Sequence, residues 1–227
     1  MTSPVTRGGQ VAVLDLDGTL VDSVYVHVLA WQAAFRDVGV HVPAHRLHGL
    51  IGMGGDRLVA AAAGDATEHA LGDELRRRHP EHVDHLFAAI VPTEGAVDLL
   101  EALREHDVDV RLASSSDQAM TERLLGVLEG AERLLGRVVS GSEAEQSKPS
   151  GRLVEVALEG VDAATAVVVG DAVWDVLAAQ DAGVPCLGLL TGGTPAADLL
   201  AAGAVAVHDD PRALAEHLRR TGSLLPA

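Results

Sequence analysis

The sequence predicts an α/β fold: a parallel sheet with helices on both faces, interrupted after its first strand by a helical insertion. Three observations carry this. Short β-branched runs alternate with amphipathic stretches from residue 92 onward. One such run, Val11–Leu14, stands alone ahead of them. Between the two, residues 23–91 show helical periodicity and no strand signal.

Val11-Ala12-Val13-Leu14 reads as a buried strand that stops at Asp15. From Ser23 to Val38 the apolar residues Val24, Val28, Trp31 and Phe35 recur at helical spacing, with Ser23 placed to cap the start. Helical character continues through Pro43–Leu50, Asp56–Ala63 and Thr67–Ile90, and Pro80 is expected to break or kink the last of these. After Pro92 the expected order is helix 94–105, strand 108–113, helix 118–128, strand 138–140, helix 152–158, strand 166–170, helix 173–182 and strand 184–189. A weaker pair, 196–202 and 204–207, closes the pattern. The expected division is therefore a core of residues 1–22 and 92–227 and a helical cap of residues 23–91.

Composition bounds the rest. A chain of 227 residues suits one domain, or one core with a modest insertion. Hydrophobic residues make up 48% and aromatics 2%, so the core must be aliphatic. The formal net charge of −16 opposes nucleic acid and anionic membrane as partners, both being polyanions. It leaves room for an anionic small molecule, because local cations or a metal can reverse the sign inside a cleft. Cys186 is the sole cysteine, so no intramolecular disulfide forms, which fits a reducing cytoplasm. Met1 to Gln10 has one Arg and no apolar stretch of signal-peptide type, and the longest apolar runs are too short to span a bilayer. A soluble, cytoplasmic protein is expected; its oligomeric state is not legible.

Chemistry concentrates where strands end. Asp15 and Asp17 are two apart on an extended segment, so both can face one side, and Gly18 permits the turn that follows. Paired carboxylates suit a nucleophile and a general acid, although Asp and Gly are also ordinary turn residues. The strand ending at Ala113 runs into Ser114-Ser115-Ser116, whose hydroxyls and amides can hold a phosphate or simply cap a helix. Lys148 precedes a helix and can balance charge on the carboxylate and the phosphate. Val167–Val169 ends in Gly170-Asp171, with Asp175 four residues on. Oxygens of Asp15 and Asp171 make a hard donor set suited to Mg2+, while Asp175 also suits the N-terminal turn of a helix.

Taken in order, these segments resemble the haloacid dehalogenase-like superfamily of hydrolases, in its phosphoglycolate phosphatase and β-phosphoglucomutase branch. Asp15-Leu16-Asp17-Gly18-Thr19-Leu20 is similar to the first motif, Ser114 to the second, Lys148 to the third, and Gly170-Asp171 with Asp175 to the fourth. The resemblance spans nearly the whole chain and implies a Rossmann-like core with an inserted cap. It implies Asp15 as nucleophile, Asp17 as acid and then base, and Ser114 and Lys148 as catalytic partners. It further implies Thr19 and Ser115 against the substrate phosphate. Mg2+ would be held by Asp15, the Asp17 backbone carbonyl and Asp171, with Asp175 behind them or acting through water. The expected activity is hydrolysis of a small phosphomonoester, of the phosphoglycolate or sugar-phosphate type. A phosphomutase and an idle binding protein on the same fold are the alternatives. The presence of Asp17 argues against dehalogenation.

In the cap, His27 and Trp31 share a helix face, Trp31 as packing and His27 as a candidate substrate contact. The loop Gly52–Arg57 places Arg57 as a candidate for the non-reacting end of an anionic substrate. A mutase pattern would carry an arginine where Gly54-Gly55 stands. Eight of the eleven histidines lie in residues 23–91 and are read as solvated helix faces.

Overall fold

A computed structural model describes residues 10–144 and 146–226. The reading of Met1 to Gln10 therefore lies, Gln10 apart, outside the described residues. Six strands form one parallel sheet in the order β5-β4-β1-β6-β7-β8. They are β1 (Val11–Leu14), β4 (Asp109–Ala113), β5 (Arg137–Val139), β6 (Ala166–Gly170), β7 (Cys186–Leu189) and β8 (Ala206–His208). Two further strands, β2 (Val21–Asp22) and β3 (Val91–Pro92), pair antiparallel with each other.

Strand alternation divides the core. Ala12, Leu14, Val110, Leu112, Val167 and Val169 face one side, where they pack with α5 (Ala96–Glu105), α6 (Gln118–Leu125) and α10 (Pro211–Thr221). Val11, Val13, Ala113, Val139 and Val168 face the other, against α7 (Arg152–Ala157), α8 (Val173–Asp181) and α9 (Ala196–Ala202). Both faces are covered, which is why β1 and β6 are apolar at every position rather than at alternate ones.

Between β2 and β3 run α1 (Val24–Asp37), α2 (Ala44–His48), α3 (Gly55–Ala63) and α4 (Asp65–Leu86). They enclose their own core, in which Val24, Val28, Trp31, Phe35, Leu47, Leu58 and Leu75 are buried. The β2–β3 ribbon joins this unit to the sheet, so the chain leaves and returns at adjacent points.

Three expectations are corrected. Ser23 stands at the start of α1 but makes no side-chain cap; its hydroxyl donates to Asp17. Pro80 does not break α4, which runs from Asp65 to Leu86 with the proline inside it. The final strand falls at 206–208 rather than 204–207, and α10 follows it, opened by Asp210 accepting from the Ala213 amide with Pro211 in the first turn. No described helix is long and apolar enough to cross a membrane.

Candidate active site

The strand order reverses between β1 and β6, the point at which open α/β sheets form a crevice beyond their carboxyl ends. Register brings the candidate residues there. Leu14 pairs with Leu112 of β4 and Val169 of β6, and the Asp15 amide donates to the Val169 carbonyl at 2.9 Å. Asp15, Ser114 and Asp171 thus lie at the ends of three neighbouring strands. The turn after Asp15 closes tightly: the Leu20 and Val21 amides both donate to the Leu16 carbonyl. Gly18 has φ +79°, and a Cβ there would stand 2.4 Å from Asp171 Oδ2, so both the turn and the packing require glycine.

Lys148 reaches this edge from the loop before α7. Its Nζ pairs with Asp15 Oδ1 and lies 2.7 Å from Asp175 Oδ1. All three side chains are buried. Asp175 also accepts from the Ala172 amide at 3.0 Å, so its role at the start of α8 and its place in the charge cluster coexist. Thr19, fully buried, donates to Asp171 Oδ1 at 3.0 Å. Ser114 is buried and accepts from the Ser116 amide at 3.2 Å. Ser115 donates to the Gly52 carbonyl at 3.0 Å and so ties the sheet edge to the helical insertion.

The electrostatics separate the two motif aspartates. Burial pushes Asp15 up to about 7, with the charges of Asp175 and Asp17 adding to the rise and Lys148 opposing it. Burial likewise raises Asp171 well above the usual carboxylate range, helped by Asp175 and Asp15. Burial would also raise Asp17, but it is outweighed by the charge and hydrogen bond of His27 and by hydrogen bonds from Ser23 and Ser116, which bring Asp17 down to about 2. Asp17 lies 2.9 Å from His27 Nε2 and accepts from Ser116 Oγ at 3.1 Å. Two crowded, buried acids thus resist ionising, while the acid between them and the cavity is held charged.

One oxygen from each of Asp15, Asp171 and Asp175 lies within 4.8 Å of the others. Among the described residues this is the group able to hold a metal ion, and no histidine belongs to it. An all-carboxylate donor set suits a hard divalent cation, and a cation there would relieve the crowding that raises Asp15 and Asp171. The residues present therefore fit such an ion.

A cavity of about 390 Å³ opens from Asp15 and Asp17 towards the helical insertion. His27, Trp31, Arg76 and His79 of the insertion line it, as do Ser115, Ser116 and Ser147. His79 is not the solvated residue its helical spacing suggests. It lies 3.0 Å from His27 Nδ1 and stacks on Trp31 with ring centroids 4.3 Å apart. Burial, then the charge of His27, keeps it well below the ordinary histidine range. His48 is engaged too, 2.9 Å from the Gly192 carbonyl. Arg57 is not among the residues lining the cavity; its guanidinium approaches Gln146 Oε1 at 3.4 Å. The sequence places Ser116 in the Ser114-Ser115-Ser116 run without singling it out and reads His79 as a solvated helix residue; Arg76, which carries no local signal, it misses.

A model of the family described as haloacid dehalogenase-like hydrolase matches residues 10–183. A second, described as HAD-hydrolase-like, matches residues 146–221. The chain is 32% identical over 202 residues to phosphoglycolate phosphatase 1 of Pseudomonas aeruginosa, covering 82% of this chain and 71% of that protein. It is 29% identical over 196 residues to validoxylamine A 7'-phosphate phosphatase of Streptomyces hygroscopicus subsp. limoneus, covering 80% of this chain and 86% of that protein. The structure of a hydrolase from Pseudomonas syringae superposes with a TM-score of 0.88 at 30% identity, covering 94% of this chain and 100% of that one.

Proposed function

The chain belongs to the haloacid dehalogenase-like hydrolase family, and on that premise we propose that it is a Mg2+-dependent phosphatase of a small phosphomonoester, working through an aspartyl-phosphate on Asp15. The observation that carries this reading is the buried Asp15–Lys148–Asp175–Asp171 cluster at the sheet edge, with Asp17 beside it facing the cavity.

In the first half-reaction an Asp15 oxygen attacks phosphorus, the bond to the alcohol oxygen breaks, and that oxygen takes a proton from Asp17. In the second, Asp17 accepts a proton from water, the water oxygen attacks phosphorus, and the bond to Asp15 breaks. Lys148 opposes the rise that burial causes at Asp15 and so favours its charged, attacking form. The free protein holds Asp17 ionised, so Asp17 must take up a proton once substrate is bound. An incoming phosphate dianion favours the neutral acid, and His27 Nε2 lies within hydrogen-bond reach of the carboxylate at 2.9 Å. Ser114 orders the loop whose Ser115 and Ser116 line the cavity, and Thr19 fixes Asp171. Asp15, Asp171 and the Asp17 carbonyl would hold Mg2+, with Asp175 contributing through water. The ion would supply positive charge that offsets repulsion between phosphoryl oxygens and carboxylates.

We read residues 23–91 as a cap that closes over the cavity on the β2–β3 ribbon, and residues 1–22 and 92–227 as the catalytic core. The substrate is read as a small phosphate ester, and the compartment as the cytoplasm. The named relatives leave the alcohol open, one being named for phosphoglycolate and the other for validoxylamine A 7'-phosphate.

The test is phosphate release from a panel of esters that includes p-nitrophenyl phosphate. Release should require Mg2+, stop in excess chelator, and recover poorly with Ca2+, whose looser coordination spoils in-line geometry. Undiminished release in chelator would overturn the metal assignment.

A pH dependence follows from the raised acids. Asp15 and Asp171 bind protons more tightly folded than unfolded, so their contribution to stability is full below the ordinary carboxylate value. For Asp15 it is lost as pH rises to about 7. Mg2+ replaces those protons, so the rise in Tm on adding Mg2+ should be larger at pH 8 than at pH 5. Calorimetry with and without Mg2+ at both pH values checks it.

A further inference from the structure

No motif marks the loop after β7, yet it forms one wall of the acid cluster. β7 pairs with β6 in parallel, Gly188 opposite Gly170, so the turn that ends β7 lies beside Asp171 on the side away from Asp15. That turn, Leu190–Gly192, runs so close that a Cβ on Gly192 would stand 1.7 Å from Asp171 Oδ2. Gly18 closes in the same oxygen from the first motif, its own Cβ position lying 2.4 Å away. The other oxygen, Oδ1, accepts from Thr19. Asp171 is therefore tied at one oxygen and boxed by two glycine backbones at the other. The freedom of its carboxylate depends on where the 190–193 loop sits.

Two hydrogen bonds hold that loop, one from the sheet edge and one from the helical insertion. Thr191 Oγ donates to the Gly18 carbonyl. His48 Nε2, at the end of α2, lies 2.9 Å from the Gly192 carbonyl. A carbonyl only accepts, so this nitrogen carries the proton and donates. Tyr25 of α1 backs the His48 ring, stacked with centroids 5.2 Å apart and planes 19° apart. Gly193 makes room for both rings: at φ +84°, a Cβ there would stand 2.9 Å from the Tyr25 hydroxyl and 3.0 Å from His48 Nε2. The same stretch of the insertion also meets the loop that carries Asp171. Trp174 Nε1 donates to the Gly49 carbonyl at 3.1 Å, and a Cβ on Gly52 would stand 3.0 Å from that of Ala172. The turn from His48 to Gly52 thus rests on both the loop that bears Asp171 and the loop that covers it. His48 is not among the residues lining the cavity, so contact with substrate does not account for it.

We propose, building on the metal assignment above, that His48 is a positioning residue for Asp171: through the Gly192 carbonyl it holds the 190–193 loop against the carboxylate, so that docking of the helical insertion and binding of the divalent cation strengthen each other. With the insertion docked, Asp171 is preorganised for the ion. With it lifted, the Gly192 carbonyl turns to water and the loop relaxes away from Oδ2. The coupling is reciprocal: whatever docking adds to cation affinity, the cation adds to docking.

The experiment titrates Mg2+ calorimetrically into the metal-free parent and into His48→Ala, His48→Gln and Gly192→Ala, with Tm in chelator as the check on folding. His48→Ala should raise the Kd for Mg2+ roughly five- to tenfold, the scale of a lost partner behind a metal ligand. Its Tm in chelator should move little, because the side chain is only half-buried. His48→Gln gives up the stack on Tyr25 but keeps an N–H in reach of the Gly192 carbonyl, so it should recover most of the affinity; a ring that served packing alone would not be replaced by an amide. Gly192→Ala should weaken Mg2+ more than His48→Ala does, since its methyl enters the place of Asp171 Oδ2. Parental affinity in His48→Ala or in folded Gly192→Ala would overturn the inference, as would equal losses in His48→Ala and His48→Gln. Should Gly192→Ala not fold, the two His48 variants decide. If the parent itself bound no Mg2+, the metal assignment would fail and take the inference with it, whereas binding in the parent with an unmoved His48→Ala would sink the inference alone.

Discussion

Asp15→Asn should reduce turnover of every phosphate ester by roughly 10⁴–10⁶, the scale on which removal of an attacking group acts. The amide cannot attack phosphorus, and no described neighbour is placed to replace it, since Asp17 faces Ser23, His27 and Ser116 instead. The fold should persist. Asn is isosteric, and burial already opposes a charge at this position. Lys148 keeps Asp175 as a partner at 2.7 Å, so no cation is stranded. Melting temperature should therefore stay near the parent's or rise slightly in metal-free buffer at pH 8, while the shift produced by Mg2+ shrinks. Steady-state release of p-nitrophenol and calorimetry on the same preparation read both effects. Near-parental turnover in a folded variant would remove Asp15 from its role.

How much of this was legible in the sequence depends on the range of each signal. Asp15, Asp171 and the serines after Ala113 were readable because each follows a short apolar run, a strictly local pattern. That the three runs are neighbours in the sheet was not written locally; it came with the motif order and the family resemblance. The β2–β3 ribbon escaped because two residues cannot show a period. The last helix had a readable start in Asp210-Pro211, which was passed over. Pro80 was overweighted: tertiary packing carries α4 through a proline that propensity alone would not allow. The cap was least legible. His79 looks like one more polar residue on a charged helix until Trp31 and His27 close over it from α1. Arg76 looks like one more charge on a charged helix, and nothing local in the sequence says that it lines the cavity. Arg57 drew attention because it follows glycines, yet the cavity wall is formed by the arginine on the next helix.

Asp17→Asn separates the two half-reactions and is the sharper test of the proposed chemistry. Removing a positioned acid–base group typically costs roughly 10²–10⁴ in rate. The cost should fall unevenly. An alkyl ester needs its leaving oxygen protonated, so the variant should be slow from the first step. An aryl phosphate leaves without that help, so Asp15 should still be phosphorylated. Hydrolysis then stalls, because no carboxylate remains to take the proton from water. The expected result with p-nitrophenyl phosphate is a burst of about one equivalent of p-nitrophenol per enzyme, followed by slow turnover. The parent should show no such burst. Acid quench during the slow phase should recover phosphate bound covalently to the protein, and the Asp15→Asn, Asp17→Asn double variant should recover none. Local structure favours a clean comparison. Ser23 and His27 meet Asp17 Oδ1 and Ser116 meets Oδ2. The amide oxygen can therefore keep the Oδ1 contacts while the NH2 faces Ser116, whose hydroxyl can turn to accept. The pair with His27 loses its charge. Steady turnover near the parent's on an alkyl ester would take Asp17 out of the acid–base role. A uniformly slow aryl reaction without a burst would place its contribution at or before phosphorylation of Asp15, against the division of labour derived from the cluster.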